Sequence, residues 1–513
     1  MPPARADRGI KHMRIAFPAV TASALALTIF AASPATAASD YLRCDGQSKG
    51  MGVAEGLARL TVVIGTMGLL GAPESDNVAE RRFGKEGVEA CTQALADGKG
   101  KNDDRRRARL VLARAIHHVE AKDLDAALKD VRSFPAIGGD KASDPGFLRS
   151  LALSALDLEA AILLRMGKPA EAEAVALKMA AQSPYDLQNQ IRANRYITPA
   201  TGMTEAKSDF YRNFVRISPE ARLEQVEALE WAGDFAGAAD ASEGFIALIE
   251  GVGPVPLLKA RAAVQNILAG HLDRAEPLIA AARRENDEAA ARVTGSAGGS
   301  QDSVSRTDEL LDFARIARLA GEGKLADART QFGARSRWLA PSVPTVAYLT
   351  AKLRTGADPA SLAGALAREP ETLKTDAIAA QEKTLTDDKA TKALYGAIRP
   401  LLDNGDYAGL AKNMRQIDKS KFLQKKSDDR PGETLTMIGG NGVPAGEGFL
   451  LHAALLAKSR GKSGFAILPI RFSTITGRVL IAEPDGKLPA DAFIKADEVI
   501  QTLGPRFPKP EAK

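Results

Sequence analysis

The chain has 513 residues, more than one hydrophobic core usually supports, so several cooperative units or a repeat array are expected. Its 45% hydrophobic and 26% charged residues exclude disorder throughout, and only 5% aromatic residues favour close-packed helices over a sandwich or barrel. The net charge is +5, and residues 1–37 hold four basic side chains and one acidic one, so the remaining chain is near +2 and no nucleic-acid partner is expected.

The first predicted element is an export signal. Basic residues at positions 5, 8, 11 and 14 precede an apolar run over residues 15–32, and small residues around Ala35 and Ala37 form a typical cleavage site. Met13 is an alternative start. An uncleaved membrane anchor is the other interpretation, and the proline and hydroxyl residues within the run disfavour it. The signal predicts a periplasmic or secreted protein with no transmembrane segment after cleavage.

Residues 38–100 are predicted to be a helical cap that contains both cysteines of the chain. In an oxidising compartment Cys44 and Cys91 are expected to form a disulfide, worth roughly 4 kcal/mol of stability. Two buried thiols on separate helices are the alternative. Metal binding is disfavoured, because no further cysteine or histidine lies within a few residues of either one.

Residues 101–425 are predicted to be helical repeats. Five short breaks separate Ala- and Leu-rich helices, and an alanine follows three residues after each break. A glycine at a break supplies the left-handed turn that ends a helix, and the alanine lets the second helix approach the first closely. The breaks begin at Lys122, Gly167, Gly233, Gly270 and Gly323, and the alanines are Ala127, Ala172, Ala238, Ala275 and Ala328.

A second set of mostly small residues lies twelve positions before these alanines: Ala115, Ala160, Val226, Ala263 and Ile316. With small residues at these two places, residues 104–340 resemble tetratricopeptide repeats. The resemblance implies an α-solenoid of helical hairpins. The hairpins are unevenly spaced in this sequence, so an insertion, residues 182–217, must lie between the second and the third.

The resemblance also implies a concave face, lined by the first helix of each hairpin, that takes a protein or peptide partner. Charges of both signs on this face suit a polypeptide better than a polyanion. Trp231 is a candidate anchor, and burial between hairpins is its alternative. The predicted groove residues are Arg109, Glu120, Asp157, Arg165, Glu227, Glu230 and Trp231.

Residues 430–505 are predicted to be a small α/β domain. Strand candidates lie at 433–438, 464–472 and 474–482, with helices over 447–460 and 489–503. Within the array, the Gly/Ser-rich stretch 293–306 is expected to be a mobile loop. The predicted fold is therefore mainly α, a helical-hairpin array followed by a small α/β domain.

No motif predicts a catalytic residue, a cofactor or a metal. The glycines between 439 and 448 lack the spacing of a dinucleotide-binding loop, and the sequence has no P-loop. His117 and His118 diverge by about 100° on a helix, so a shared metal ion is disfavoured and His118 is expected to pack in the core. The sequence contains no serine or cysteine nucleophile motif that could act with His452, so a hydrolytic triad is not predicted.

These features favour a non-enzymatic scaffold for protein–protein interaction in the bacterial cell envelope. The alternative hypothesis is an accessory or regulatory subunit whose C-terminal α/β module binds a ligand or partner. An enzyme is the third and least supported hypothesis.

Overall fold

The structure is a computed structural model of the chain. It describes residues 39–48, 77–97, 103–137, 144–249, 253–293, 299–402, 404–415, 425–426, 433–436, 442–468, 476–483 and 490–508. The predicted export signal lies outside these residues. Within the described ranges, no helix is both long enough and apolar enough to cross a membrane.

The fold is mainly helical, with a small sheet near the C-terminus. The helices are α1 (Asp40–Asp45), α2 (Gly84–Ala96), α3 (Asp104–Glu120), α4 (Leu124–Ile137), α5 (Pro145–Leu148), α6 (Leu151–Arg165), α7 (Pro169–Gln182), α8 (Leu187–Asn194), α9 (Glu205–Ile217), α10 (Arg222–Trp231), α11 (Phe235–Ile249), α12 (Pro256–Ala269), α13 (Leu272–Val293), α14 (Gly299–Gly321), α15 (Leu325–Gly333), α16 (Val343–Arg354), α17 (Pro370–Thr386), α18 (Asp388–Lys392), α19 (Asn404–Met414), α20 (Gly442–Ser459) and α21 (Ala496–Leu503).

The five predicted breaks share one turn geometry. In each, one residue has a left-handed backbone conformation, with φ of 64° at Lys122 and 71–87° at the four glycines. The amide of the following residue donates to the carbonyl five residues earlier, at 2.8–3.0 Å. This bond closes the C-terminus of the first helix and satisfies one of its free carbonyls. The breaks are therefore five copies of one hairpin turn.

The small residues on either side of each turn pack as predicted. The five alanines that follow the breaks have no exposed surface, and their counterparts twelve positions earlier are at most 1% exposed. Side chains of this size allow the two helices of a hairpin to lie close together. The five hairpins are α3–α4, α6–α7, α10–α11, α12–α13 and α14–α15.

The first hairpin lies against the second, and the third, fourth and fifth hairpins lie against one another in turn. Helix α3 contacts α6, α12 contacts both α11 and α14, and α4 contacts α6. The insertion (residues 182–217) forms α8 and α9 between the second and third hairpins. After the last hairpin the chain runs back along a return segment, residues 370–402, which contacts α6 through α17 and places Leu394 and Ile398 in the core of the first two hairpins.

The stretch 293–306 is not a loop throughout, in contrast to the prediction. Helix α13 ends at Val293 and α14 begins at Gly299, while residues 294–298 lie outside the described ranges. Val304, Thr307 and Leu310 recur every three residues on α14 and are buried. An apolar stripe of this period stabilises a helix against its neighbours even when the intervening residues are Ser and Gln.

The N-terminal helices are joined by the predicted disulfide between Cys44 of α1 and Cys91 of α2. Both cysteines are fully buried in the core of the first two hairpins. Residues 49–76 and 98–100 of the predicted cap lie outside the described residues.

Within the described part of the C-terminal region the sheet has five strands: β1 (Lys425–Lys426), β2 (Glu433–Thr436), β3 (Gly464–Leu468), β4 (Thr476–Ala482) and β5 (Phe493–Lys495). Their order is β1-β2-β4-β3-β5, and every neighbouring pair is antiparallel. In the central pair Gly464 is opposite Ala482 and Leu468 is opposite Arg478. The C-terminal region is thus an α+β arrangement and contains no parallel βαβ unit among its described strands.

One hydrophobic core joins the C-terminal region to the insertion and the second hairpin. It includes Phe210 and Phe214 of α9, Met179 of α7, and Phe449 and Val499 of the C-terminal helices α20 and α21. A core shared in this way makes the insertion and the C-terminal region mutually dependent for stability, because each covers apolar surface of the other.

A buried ion pair adds to this junction. Arg149, which precedes α6, pairs with Glu447 of α20, and Arg506 and the Tyr407 hydroxyl approach the same carboxylate at 2.6 and 3.0 Å. Glu447 has no exposed surface. Two arginines and a hydroxyl therefore satisfy a carboxylate that would be costly to bury alone.

Candidate binding site

The predicted groove residues lie on α3, α6 and α10, and five of the seven bind other parts of the same chain. At the N-terminal end, the Arg109 Nε donates to Asp45 at 3.2 Å, beside Arg106, which makes two further bonds to the same carboxylate. The Asp45 side chain is fully buried. Helix α1 therefore occupies this end of the predicted face.

Glu120 is part of a buried network that links α2, α3 and the return segment. Its carboxylate accepts from the Gly84 amide at 2.9 Å and lies 2.8 Å from His117 Nδ1. The other ring nitrogen of His117 is 2.7 Å from the Cys44 carbonyl and 2.9 Å from the Tyr395 hydroxyl. Because Glu120 is bound within the chain, it stabilises the fold and is not available to a partner in the predicted groove.

The two adjacent histidines of α3 differ in burial, in contrast to the prediction that His118 packs in the core. His117, not His118, is the one packed in the core: His117 has no exposed surface, whereas the His118 side chain is 17% exposed and faces Asp123 and Asp130. Burial lowers the pKa of His118 even though both aspartates oppose that change. No group of three or more potential ligands that could hold a metal occurs among the described residues.

Asp157 and Arg165 of α6 are covered by α8 and the return segment. Asp157 is 2% exposed and accepts hydrogen bonds from Arg192 at 2.8 Å and from the Tyr196 hydroxyl at 2.9 Å. Burial and the Asp157 charge raise the pKa of Tyr196 well above its ordinary value. Arg165 donates to the Ala161 carbonyl at 3.0 Å and to Thr391 at 3.4 Å.

Glu230 is likewise engaged inside the array. It is 2% exposed, and its two oxygens accept from Arg261 at 2.7 Å and from Gln265 at 2.6 Å, both on α12. The pair ties the third hairpin to the fourth. The sequence predicts these polar residues on the first helices of the hairpins, but no local pattern shows which other side chains of the chain bind them.

The remaining two predicted groove residues, Glu227 and Trp231, line a cavity of about 190 Å³, which we call the Trp231 cavity. One wall is α10, which contributes Glu224, Glu227 and Trp231. The insertion contributes further lining residues, including Lys207 and Tyr211, and Gln381 of α17 completes the lining. Residues from three distant parts of the sequence thus meet at this site.

Helix α10 places the two carboxylates that line the cavity one turn apart, since Glu224 and Glu227 differ by three positions. Both residues are exposed, yet the walls of the cavity desolvate the Glu224 carboxyl. This desolvation, with the negative charge of Glu227, raises the pKa of Glu224. Among the described residues, neither carboxylate has a cation within ion-pair distance. Arg261, whose charge interacts with Glu227, is bound to Glu230.

Lys207 does not neutralise these carboxylates, although it lines the same cavity. Its side chain is 2% exposed, and its ammonium group binds Glu173 at 2.9 Å, the Thr198 carbonyl at 2.6 Å and the Gly202 carbonyl at 2.8 Å. The Thr201 hydroxyl completes its environment. The positive charge of Lys207 is therefore used to pin residues 198–202 against α7.

Tyr211 presents an uncommitted hydroxyl to the cavity. The residue is 4% exposed, and its hydroxyl forms no hydrogen bond within the described part of the chain. Burial, followed by the charges of Glu224 and Glu227, raises the pKa of Tyr211. Glu224, Lys207 and Tyr211 were not recognised from the sequence, because only Glu224 carries a local signal, its spacing from Glu227.

His452, the third histidine considered from the sequence, is buried in α20 with its Nδ1 2.9 Å from the Met414 carbonyl. Burial lowers its pKa. The side chain packs among the residues of the shared core rather than facing the Trp231 cavity.

Comparison with known proteins adds no family to this description: no protein-family model, no curated protein and no solved structure matches the chain.

Proposed function

We propose that this protein is a non-enzymatic interaction scaffold of the bacterial cell envelope that captures a polypeptide segment through its array of hairpins. The five copies of one hairpin turn support a tetratricopeptide-like array. The buried disulfide between Cys44 and Cys91 supports an oxidising compartment, since such bonds persist outside the reducing cytosol.

The Trp231 cavity is the observation that carries the proposal. On the predicted face, helices α1 and α2 bind Arg109 and Glu120 of α3, and the insertion and the return segment cover Asp157 and Arg165 of α6. Glu227 and Trp231 are left to face a cavity with room for a guest. Tryptophan is enriched among the few residues that contribute most of the binding energy in protein interfaces. Trp231 lies beside charged groups in this cavity.

Site-specific photocrosslinking in living cells tests this function. We choose Gln381→p-benzoylphenylalanine, because Gln381 is exposed at the cavity and leaves Glu227 and Trp231 intact. The matched control is Lys495→p-benzoylphenylalanine, at a side chain 67% exposed in the C-terminal region. The scaffold predicts a defined covalent adduct with another protein from position 381.

An adduct from position 495 alone would contradict the proposal and favour the alternative, a subunit that binds its partner through the C-terminal module. No adduct from either position would contradict both. The two positions are on the same folded chain, so expression and stability can be compared directly before irradiation.

A further inference from the structure

The charge balance of the Trp231 cavity points to the chemistry of its guest. Glu224 and Glu227 bring two negative charges, and the one ammonium group among the described lining residues, that of Lys207, is already bound to Glu173. A second cation inside the cavity would face two uncompensated carboxylates, whereas an anion would be repelled. The cavity therefore selects for positive charge.

The Tyr211 hydroxyl is a second, independent feature of the cavity. The residue is 4% exposed, it lines the cavity, and its hydroxyl has no hydrogen-bond partner among the described residues. The hydroxyl oxygen itself is open to solvent, so a donor that enters the cavity can reach it. An ammonium or guanidinium N–H that points into the cavity would donate to the hydroxyl oxygen and to a carboxylate together.

Trp231 supplies the third element of a cation site. Its indole is partly exposed and lines the cavity beside the two carboxylates. The face of an indole attracts an organic cation, and the indole is the strongest of the aromatic side chains in this respect. The apolar stem of a basic side chain can also lie along the ring.

The size and surroundings of the cavity favour a side chain over a free small molecule. Its volume of about 190 Å³ is below the roughly 300–1,000 Å³ of typical small-molecule pockets. Ile191, which is 37% exposed, lies one helical turn before the lining residue Asn194 on α8. This apolar surface would contact the residues that flank an inserted side chain.

We infer that the Trp231 cavity binds the basic side chain, lysine or arginine, of a partner polypeptide. The inference rests on the proposed function and specifies the chemistry of the partner segment. The cation would lie between Glu224, Glu227 and the Trp231 face, with the Tyr211 hydroxyl as a further acceptor. Neighbouring residues of the partner would cover Ile191.

Isothermal titration of the full exported chain with short capped peptides tests the inference. One peptide carries a single lysine between alanines, a second carries arginine, and a third carries norleucine, which keeps the apolar stem and lacks the charge. We expect the lysine and arginine peptides to bind and the norleucine peptide to bind at least about tenfold more weakly.

Variants assign the binding to named groups. Glu224→Gln with Glu227→Gln should weaken the lysine peptide by about tenfold or more, while Glu371→Gln, at a carboxylate 79% exposed on α17, should leave it unchanged. Tyr211→Phe removes a hydroxyl with no internal partner. This variant should therefore keep the stability of the fold and weaken the peptide about threefold or more.

Equal binding of the norleucine peptide, or full binding after loss of both carboxylates, would overturn the inference. Butylammonium that binds as tightly as the lysine peptide would overturn the assignment to a polypeptide. If the protein does not distinguish the basic peptides from the norleucine peptide but still forms the crosslinked adduct from position 381 in cells, only this inference is refuted. If the protein prefers the basic peptides but forms no crosslinked adduct in cells, only the proposed scaffold function is refuted.

Discussion

At the scale of single residues, most of the polar positions on the predicted face have partners within the chain. Asp157 binds Arg192 and Tyr196, and Glu230 binds Arg261 and Gln265. Their helix and their face follow from local periodicity, which sequence alone provides. Whether these carboxylates are free or bound depends on partner residues 31–39 positions away in the sequence. It also depends on the path of the insertion, which no local pattern encodes.

His452 gives a residue-scale prediction about pH. Burial lowers its pKa below the ordinary value of 6.5, so the unfolded chain takes up its proton at higher pH than the folded chain. The contribution of this residue to stability is therefore complete above about pH 6.5 and is lost as the pH falls through that value toward the lowered pKa.

We expect His452→Asn to reduce the loss of stability between pH 7 and pH 5.5, measured as the urea midpoint at each pH. Asparagine can keep a donor toward the Met414 carbonyl and does not titrate. His271→Asn, at a histidine in the fourth hairpin turn, serves as the control. An unchanged pH dependence in His452→Asn would contradict the assigned burial of the neutral ring.

At the scale of elements, the hairpin turns were predicted well because their determinants are local. A left-handed residue, the bond that closes the helix and the buried alanine all lie within about ten residues of one another. The start of α14 was predicted to be a loop because the sequence around Gly299 is rich in Ser, Gly and Gln. The helix depends on buried side chains that pack against α13, and this packing is not visible in the local composition. The strand β5 was missed because it has only three residues.

The first turn shares the geometry of the other four but has lysine where they have glycine. Lys122 has φ of 64°, a conformation that costs a side chain roughly 1 kcal/mol and costs glycine little. We expect Lys122→Gly to stabilise the protein by roughly 0.5–1 kcal/mol in urea unfolding. Gly167→Ala should destabilise by a similar amount, because Gly167 has the same conformation and open space around its Cα.

Lys122→Ala separates the backbone effect from loss of the lysine side chain, and it should be close to neutral. A destabilised Lys122→Gly variant would contradict the view that the five turns are equivalent.

At the scale of the whole molecule, the chain closes on itself. Tyr395 of the return segment donates to the Cys44 carbonyl at 2.8 Å across 351 positions of sequence, and Arg399 binds Asn189 at 2.8 Å. The C-terminal region shares its core with α9. The helical class and the approximate positions of the C-terminal strands were predictable, but these long-range contacts were not, because they are encoded by complementary surfaces rather than by periodicity.

Removing residues 442–513 should therefore destabilise the insertion as well as the C-terminal region. Phe210, Phe214 and Met179 would lose their cover, and α9 should become sensitive to limited proteolysis between residues 183 and 221. A chain that lacks only residues 509–513 is the control. Protection of α9 in the longer truncation would show that the shared core contributes little.

The central claim is that a partner polypeptide occupies the Trp231 cavity through a basic side chain. The most direct measurement is the yield of the photocrosslinked adduct from Gln381→p-benzoylphenylalanine, compared in cells among three backgrounds: the wild-type cavity, Glu224→Gln with Glu227→Gln, and Glu371→Gln. We expect a strong adduct in the first and third and its loss in the second. An adduct that persists without the two cavity carboxylates, at equal protein levels, would contradict the claim.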